Sequence, residues 1–257
     1  TLAQGLERAK RQLKDTNAAI ARNEPAPPGV SEAEAGELAE VLLETASTYE
    51  AQIRAYDVLA KARASRREIE ERGAGASTLA TPPPHSILVV DELRASVAKK
   101  RARIDALRAS EAQLKREAER YFAQSQRADE ALRRAGEAAD NATGEARAPA
   151  AWRRRVAEAH VRLAAARTTL AQVAAKAIDD EIATRLAELA VLEADVAKAR
   201  GATRFTREDL DTALARQKTS STRHRRDLDR LGALAPDLMK QRDAASRELD
   251  RLRARCA

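Results

Sequence analysis

The chain has 257 residues, a formal net charge of +7 and a pI near 9.8. Charged residues make up 34% and apolar residues 44%, but aromatic residues only 2%. A compact enzyme core draws much of its buried area from aromatic side chains, whereas a chain dominated by Ala, Leu, Arg and Glu is typical of long helices. We therefore predict an all-α fold, an elongated antiparallel coiled-coil or helical bundle of about five long helices, forming a single domain over residues 1–257.

Proline and glycine clusters mark the predicted helix boundaries. Proline removes a backbone donor and clashes with the preceding turn, while glycine supplies turns and helix ends. These clusters lie at residues 25–29, 73–84 and 141–149 and at Gly201. The predicted helices accordingly lie near residues 2–23, 31–72, 87–140, 149–200 and 206–257.

Two helix starts carry capping motifs. Ser31 followed by Glu34 is a capping box, in which each side chain accepts a hydrogen bond from a free backbone amide. Thr206 and Asp209 form a similar arrangement with a shorter acidic side chain. These motifs predict starts for the second and fifth helices.

Apolar residues recur with alternating steps of three and four in the first, third, fourth and fifth predicted helices. Such a period keeps one apolar seam facing a partner helix over many turns. In the fifth helix the phase continues across Gly232 and Pro236, which predicts one helix kinked near Pro236. Its seam comprises Leu210, Leu214, Gln217, Ser221, His224, Leu228, Leu231, Ala235, Leu238, Arg242, Ala245, Leu249 and Leu252.

Three polar residues, Gln217, Ser221 and His224, interrupt the seam of the fifth helix. A polar layer of this kind sets the register and the choice of partner in a coiled coil, at some cost in stability. We predict that these residues form such a layer.

No residue pattern indicates catalysis. The three histidines are far apart in sequence, the carboxylates occur in charged helical runs, and Gly73 and Gly75 lack a phosphate-binding motif. Cys256 is the single cysteine, so it forms no internal disulfide and no thiol pair for a metal. We predict no catalytic residue, no cofactor, no metal site and no small-molecule substrate.

The sequence at residues 152–155 is unusual because three arginines follow a tryptophan at a helix start, where the helix dipole favours acidic residues. Trp152, Arg153, Arg154 and Arg155 are therefore candidates for contact with an anionic surface, such as lipid headgroups. The alternative is a tryptophan that closes the end of the bundle, with arginine side chains covering it.

No run of 18 or more apolar residues and no signal peptide appears in the chain. The chain begins at Thr1 rather than at Met. We expect an excised fragment or a processed form of a longer protein.

Two segments carry a resemblance to a known family. One is PPPHSILVVDELR at residues 82–94, and the other is FTREDLDTALAR at residues 205–216. In sequence and in spacing they resemble the N-terminal extracytoplasmic region of large bacterial MscS-like mechanosensitive channels. The resemblance implies a domain on the periplasmic side of the inner membrane that lacks the pore and its gating helices.

The resemblance implies a non-catalytic structural or interaction domain that contributes to assembly, to positioning on the membrane or cell wall, or to modulation of gating. The expected partners are other parts or copies of the same membrane protein, the membrane surface or the cell wall. One alternative is a free-standing coiled-coil adaptor or tether. A second is a basic nucleic-acid-associated rod. Nucleic acid is not the expected partner, because neither the basic cluster at residues 152–155 nor a second one at residues 223–226 has the interleaved aromatic residues of a stacking surface.

Overall fold

The computed structural model describes residues 1–22, 24–72, 77, 79 and 82–256. Within that part of the chain, the elements in order are α1 (Leu2–Arg22), α2 (Glu32–Arg72), β1 (His85–Ser86), α3 (Ile87–Asn141), a 3-10 turn (Gly144–Ala146), α4 (Arg147–Gly201), β2 (Thr203–Arg204) and α5 (Arg207–Cys256). The predicted all-α fold with five long helices is confirmed. The helix ends predicted at residues 23 and 257 lie outside the described residues.

The two predicted caps are confirmed. The Ser31 amide donates to Glu34 Oε2 at 3.1 Å, and the Glu34 amide donates to Ser31 Oγ at 3.3 Å. At the start of α5, the Thr206 amide donates to Asp209 Oδ2 at 2.8 Å, and the Asp209 amide donates back to Thr206 Oγ1 at 3.2 Å. Each motif satisfies two backbone amides that the helix itself leaves free.

Helix α5 continues through Pro236, as the unbroken seam phase predicts. A kink near this proline stays a prediction.

Helix α4 begins at Arg147, two residues before the predicted start, and Pro149 lies in its first turn. Proline is tolerated there because the amide that it lacks has no partner in the first turn of a helix.

The chain divides into two compact units. Unit one comprises the described residues of 1–80 and 94–195, and unit two those of 81–93 and 196–257. Helices α3 and α4 contribute residues to both units. The single domain predicted over residues 1–257 stays a prediction.

In unit one, α4 packs against α2, and the two helices run in the same direction. The Trp152 indole Nε1 donates to the Glu34 carbonyl at 3.1 Å, and further along both helices Arg66 Nη1 lies 3.0 Å from Asp180 Oδ1. Between these levels, Gln52 donates to the Ala166 carbonyl. The apolar contact is a cluster of buried side chains, namely Leu38, Val41, Trp152, Val156, Ala159 and Leu163.

Helix α3 runs antiparallel to α4 within unit one. Their buried apolar cluster consists of Ile104, Leu107, Ile182 and Leu189, with Val97 and Ile178 packed against it. Lys100 pairs with Glu188 at one level, and the Arg167 guanidinium lies 5.9 Å from the Tyr121 ring centroid at another. The predicted antiparallel packing of the long helices is therefore present between α3 and α4.

Helix α1 lies against α2 with its first turn near Tyr56. Leu2 packs on a cluster that includes Leu59, Val173 and Ala177. A Cβ atom added to Gly5 would lie 2.5 Å from the Tyr56 hydroxyl oxygen, so any larger residue there would require the Tyr56 side chain to move. The absent side chain lets α1 settle against α2, an arrangement that the apolar period does not reveal.

Unit two contains a short parallel pairing of β1 with β2, which the sequence did not predict. His85 is opposite Thr203 and Ser86 is opposite Arg204. The His85 amide donates to the Ala202 carbonyl at 2.9 Å. Each strand has only two residues, so the pairing joins the chain before α3 to the chain after α4 without forming an extended sheet.

Candidate interaction surface

The start of α5 is anchored in unit two by a buried carboxylate. Asp209 accepts hydrogen bonds from the Ser86 hydroxyl and from the amide and hydroxyl of Thr206. These bonds stabilise the ionised form, and they lower the pKa of Asp209, with Ser86 as the main cause and Thr206 next. One carboxylate therefore both caps α5 and fixes it to the segment that precedes α3.

A second contact reinforces this anchor. Arg216 Nη1 lies 2.7 Å from Glu92 Oε1, and both side chains are exposed. Val90, two residues before Glu92 in the first turn of α3, is 1% exposed. The hydrophobic helix start at residues 87–90 therefore contributes a buried side chain to unit two. The two segments at 82–94 and 205–216 contact each other directly.

His85 is buried beside this anchor, with 5% of its surface exposed. Its Nδ1 atom has no hydrogen-bond partner among the described residues. The other two histidines lie elsewhere: His160 contacts Glu37 at 2.9 Å, and His224 is exposed on α5. The structure therefore does not bring the three histidines together.

Beyond the first two turns of α5, its described side chains are exposed. Every side chain at residues 214–247 is exposed to solvent. Large apolar side chains of α5 share this exposure, namely Leu210, Leu214, Leu228, Leu231, Leu234, Leu238, Met239 and Leu249. We call these eight residues the α5 apolar face. Five of the eight lie close together between Leu228 and Met239, and a concentrated exposed apolar patch of this kind marks a site of interaction.

The predicted polar layer lies on the same side of α5. Gln217, Ser221 and His224 are all exposed, and His224 Nδ1 lies 3.4 Å from the Ser220 hydroxyl. Their role as a layer between paired helices stays a prediction.

The α5 apolar face is wider than the seam predicted from the sequence. Leu234 and Met239 belong to it but lie beside the seam, on its two flanks. A count of apolar residues at seam positions alone misses them. Comparison of the flanks would have found them, because nearly all other flanking residues of this helix are polar, charged or small.

Trp152 is not part of an exposed surface. It is 4% exposed and packs on Leu38 and Val41 of α2. This placement follows the second alternative of the sequence analysis, in which the tryptophan closes the end of the bundle. The Arg155 guanidinium covers the ring at 5.3 Å from its centroid, a distance at which a cation is attracted to the aromatic face.

The three arginines after Trp152 all pair with carboxylates of the same chain. Arg153 Nε lies 2.7 Å from Glu34 Oε1, Arg154 Nε lies 3.2 Å from Glu158 Oε1, and Arg155 Nη1 lies 2.6 Å from Glu24 Oε2. The hydrogen bond from Arg153, followed by those from Ser31, lowers the pKa of Glu34 from 4.5 to about 2. Contact of these arginines with an anionic surface stays a prediction.

Among the described residues, no three or more His, Cys, Asp or Glu side chains are placed to hold a metal ion. No helix in that part of the chain combines the length and the apolar character needed to cross a membrane. No protein-family model, no curated protein and no solved structure matches this chain.

Proposed function

We propose that this chain is a non-catalytic structural and interaction module, in which unit one is a helical scaffold and α5 is the binding element. One observation carries this proposal: eight large apolar side chains are exposed along one face of a helix whose first turn is firmly anchored. Exposing this surface to water is unfavourable, at about 25 cal/mol per Å². A partner that covers it would recover that free energy.

The anchor at Asp209 supports this role. A helix can hold a bound partner in a defined position only if the start of the helix is itself held in place. Asp209 holds the start of α5 through its hydrogen bonds with Ser86 and Thr206. The ion pair between Glu92 and Arg216 adds a second contact two turns further along α5. These contacts within unit two therefore hold the start of α5 in place.

We further propose that the module belongs to the extracytoplasmic part of an MscS-like mechanosensitive channel, on the periplasmic side of the bacterial inner membrane. The support is the resemblance at residues 82–94 and 205–216, the two segments whose contacts hold the start of α5 in place. In that setting the partners of α5 are other parts or copies of the same membrane protein. Contact with the membrane surface or the cell wall belongs to the same proposal.

Recording from the complete natural gene product tests the channel proposal. We expect patches of membrane that contain it to show a conductance activated by tension. Asp209→Asn should shift the threshold tension, because it weakens the hydrogen bonds that hold the start of α5. Asp211→Asn, at an exposed neighbouring position on the same helix, should leave the threshold unchanged. The absence of any tension-activated current would contradict the channel proposal and favour the free-standing adaptor.

A further inference from the structure

We propose that the α5 apolar face pairs with the same face of a second copy of this chain, with the two helices parallel and in register. This inference rests on the proposed role of α5 as a binding element and goes beyond it by identifying the partner. The pairing surface extends from Leu214 to Leu249, about 50 Å at 1.5 Å per residue. At its middle, Leu228 is 69% exposed and Leu231 is 63% exposed.

The seam follows a heptad in which two positions, a and d, face the partner. Position a is occupied by Leu214, Ser221, Leu228, Ala235, Arg242 and Leu249. Position d is occupied by Leu210, Gln217, His224, Leu231, Leu238 and Ala245. In a parallel pair in register, each layer consists of the same residue from both copies, so polar layers meet polar layers and apolar layers meet apolar ones.

An antiparallel pair does not match the layers in this way. Position a then faces position d of the other helix. Depending on the register, Ser221 faces Leu238 or Gln217 faces Leu249. Burying a polar side chain against leucine leaves its hydrogen bonds unsatisfied, which is unfavourable. The order of residues along the seam therefore favours the parallel arrangement.

The two apolar residues beside the seam point to the same arrangement. Leu234 lies at position g and Met239 at position e of the following heptad, five residues later. Position g of one helix lies next to position e of the following heptad on the other helix in a parallel pair. Leu234 of each copy therefore meets Met239 of the other. In an antiparallel pair, g faces g and e faces e, so leucine and methionine would lie on opposite flanks.

The remaining flanking pairs contain no like charges. Between residues 220 and 246, the g and e residues that meet are Ser220 with Arg225, Asp227 with Gly232, and Gln241 with Ser246. Since like charges at these positions would repel, their absence permits close approach of the two copies. This continuous, self-complementary pattern favours a second copy over an unrelated partner.

The polar layers at Gln217, Ser221 and His224 then acquire a role. Polar residues at a and d positions weaken a coiled coil but select its register and direction. Arg242, at another a position, contacts Asp243 of its own helix through Nε at 2.9 Å. Its charge is thus partly balanced within each copy.

Sedimentation equilibrium over a range of protein concentrations tests the pairing. We expect the wild-type chain to shift from the mass of one copy to the mass of two as concentration rises. The variant Leu231→Glu with Leu238→Glu should stay at the mass of one copy. The matched control, Ala233→Glu with Ala244→Glu, adds the same charge on the opposite side of α5 and should still pair.

A wild-type chain that keeps the mass of one copy at every concentration would overturn the second-copy proposal. Pairing by the Leu231→Glu and Leu238→Glu variant would overturn the assignment of the surface. The helix content of each variant, measured by circular dichroism, should match the wild type, because Leu231 and Leu238 are exposed in the single copy. The recording of tension-activated current tests the channel proposal separately, so the two failures are distinguishable.

Cross-linking tests the direction and the register. In a Cys256→Ser background, Gln217→Cys places the single thiol of each copy at a d position. A parallel pair in register brings the two thiols together, and mild oxidation should give a covalent dimer. In the two antiparallel registers described above, the thiols lie about 38 Å and about 48 Å apart. Thr219→Cys, on the outer face of α5, is the matched control and should cross-link much more slowly. Equal cross-linking of the two variants would contradict the register.

Discussion

Helices α4 and α5 have similar lengths, 55 and 50 residues, and similar apolar spacing, but they differ in what covers their apolar faces. In α4 the seam is covered by α2 on one side and by α3 on the other. In α5 the seam is exposed from Leu214 to Leu249. A seam therefore indicates that a helix has a partner, but its spacing does not indicate whether the partner lies in the same chain.

The composition of the two seams reflects this difference. Alanine fills much of the α4 face, including Ala159, Ala166 and Ala171, all of which are buried. Small side chains allow neighbouring helices to approach closely at a fixed distance. The α5 face has more leucine and contains polar positions such as Gln217 and His224. Polar positions of this kind select one partner register among several.

The largest effect should come from removing the tryptophan that α2 and α4 share. We expect Trp152→Ala to lower the free energy of unfolding by about 3–5 kcal/mol, because it leaves a cavity among buried side chains. Urea denaturation measures the change. Phe122→Ala is the control: Phe122 is 57% exposed on α3, and its loss should cost under about 0.5 kcal/mol. Equal losses would contradict the burial of Trp152.

The same substitution in both helices compares the two seams directly. Leu163→Ala in α4 should cost about 2–5 kcal/mol, since Leu163 is 4% exposed. Leu238→Ala in α5, where the leucine is 62% exposed, should cost under about 0.5 kcal/mol when measured at a concentration low enough to keep the copies apart. Thermal or urea unfolding of both variants at that concentration checks the contrast. Similar losses would show that α5 is covered within one copy.

A smaller effect should follow from neutralising the buried carboxylate between α2 and α4. Asp180 faces Arg63 at 3.3 Å and Arg66 at 3.0 Å, and its own side chain is largely buried. We expect Asp180→Asn to lower the free energy of unfolding more than Glu50→Gln does. The exposed pair of Glu50 with Arg54 within α2 contributes at most about 1 kcal/mol. Indistinguishable urea midpoints would contradict a structural role for Asp180.

The smallest effect should appear only in acid. Because the pKa of Glu34 is lowered to about 2, its contribution to stability is present above pH 4.5 and is lost as the pH falls towards 2. We expect the melting temperature of wild type to fall over this range more steeply than that of Glu34→Gln. Glu32→Gln, in the same first turn of α2, is the control and should follow the wild type. Superimposed curves for wild type and Glu34→Gln would remove the special role of Glu34.

Much of the fold follows from local rules and could be predicted. Capping chemistry at Ser31 and Thr206 depends on residues only three positions apart, so the sequence alone reveals it. The continuation of α5 through Pro236 follows from the unbroken seam phase. The burial of Trp152 beneath an arginine side chain corresponds to one of the two alternatives that the sequence offers.

Other features depend on contacts between distant parts of the chain. The pairing of β1 with β2 joins segments of two residues, too short to give any period. The contact of Gly5 with Tyr56 depends on how α1 lies against α2, which the spacing of apolar residues does not specify. For the candidate surface, the seam of α5 was predicted, but its exposure was not, because neighbours from the same chain and from another copy leave the same pattern.

Hydrogen exchange at low and high protein concentration tests the central contrast most directly. Amides of α4 at residues 147–195 should be protected to the same degree at both concentrations, because α2 and α3 cover that helix within one copy. Amides of α5 at residues 214–249 should exchange fast at low concentration and become protected as the copies pair. Protection of α5 that does not change with concentration would contradict the account.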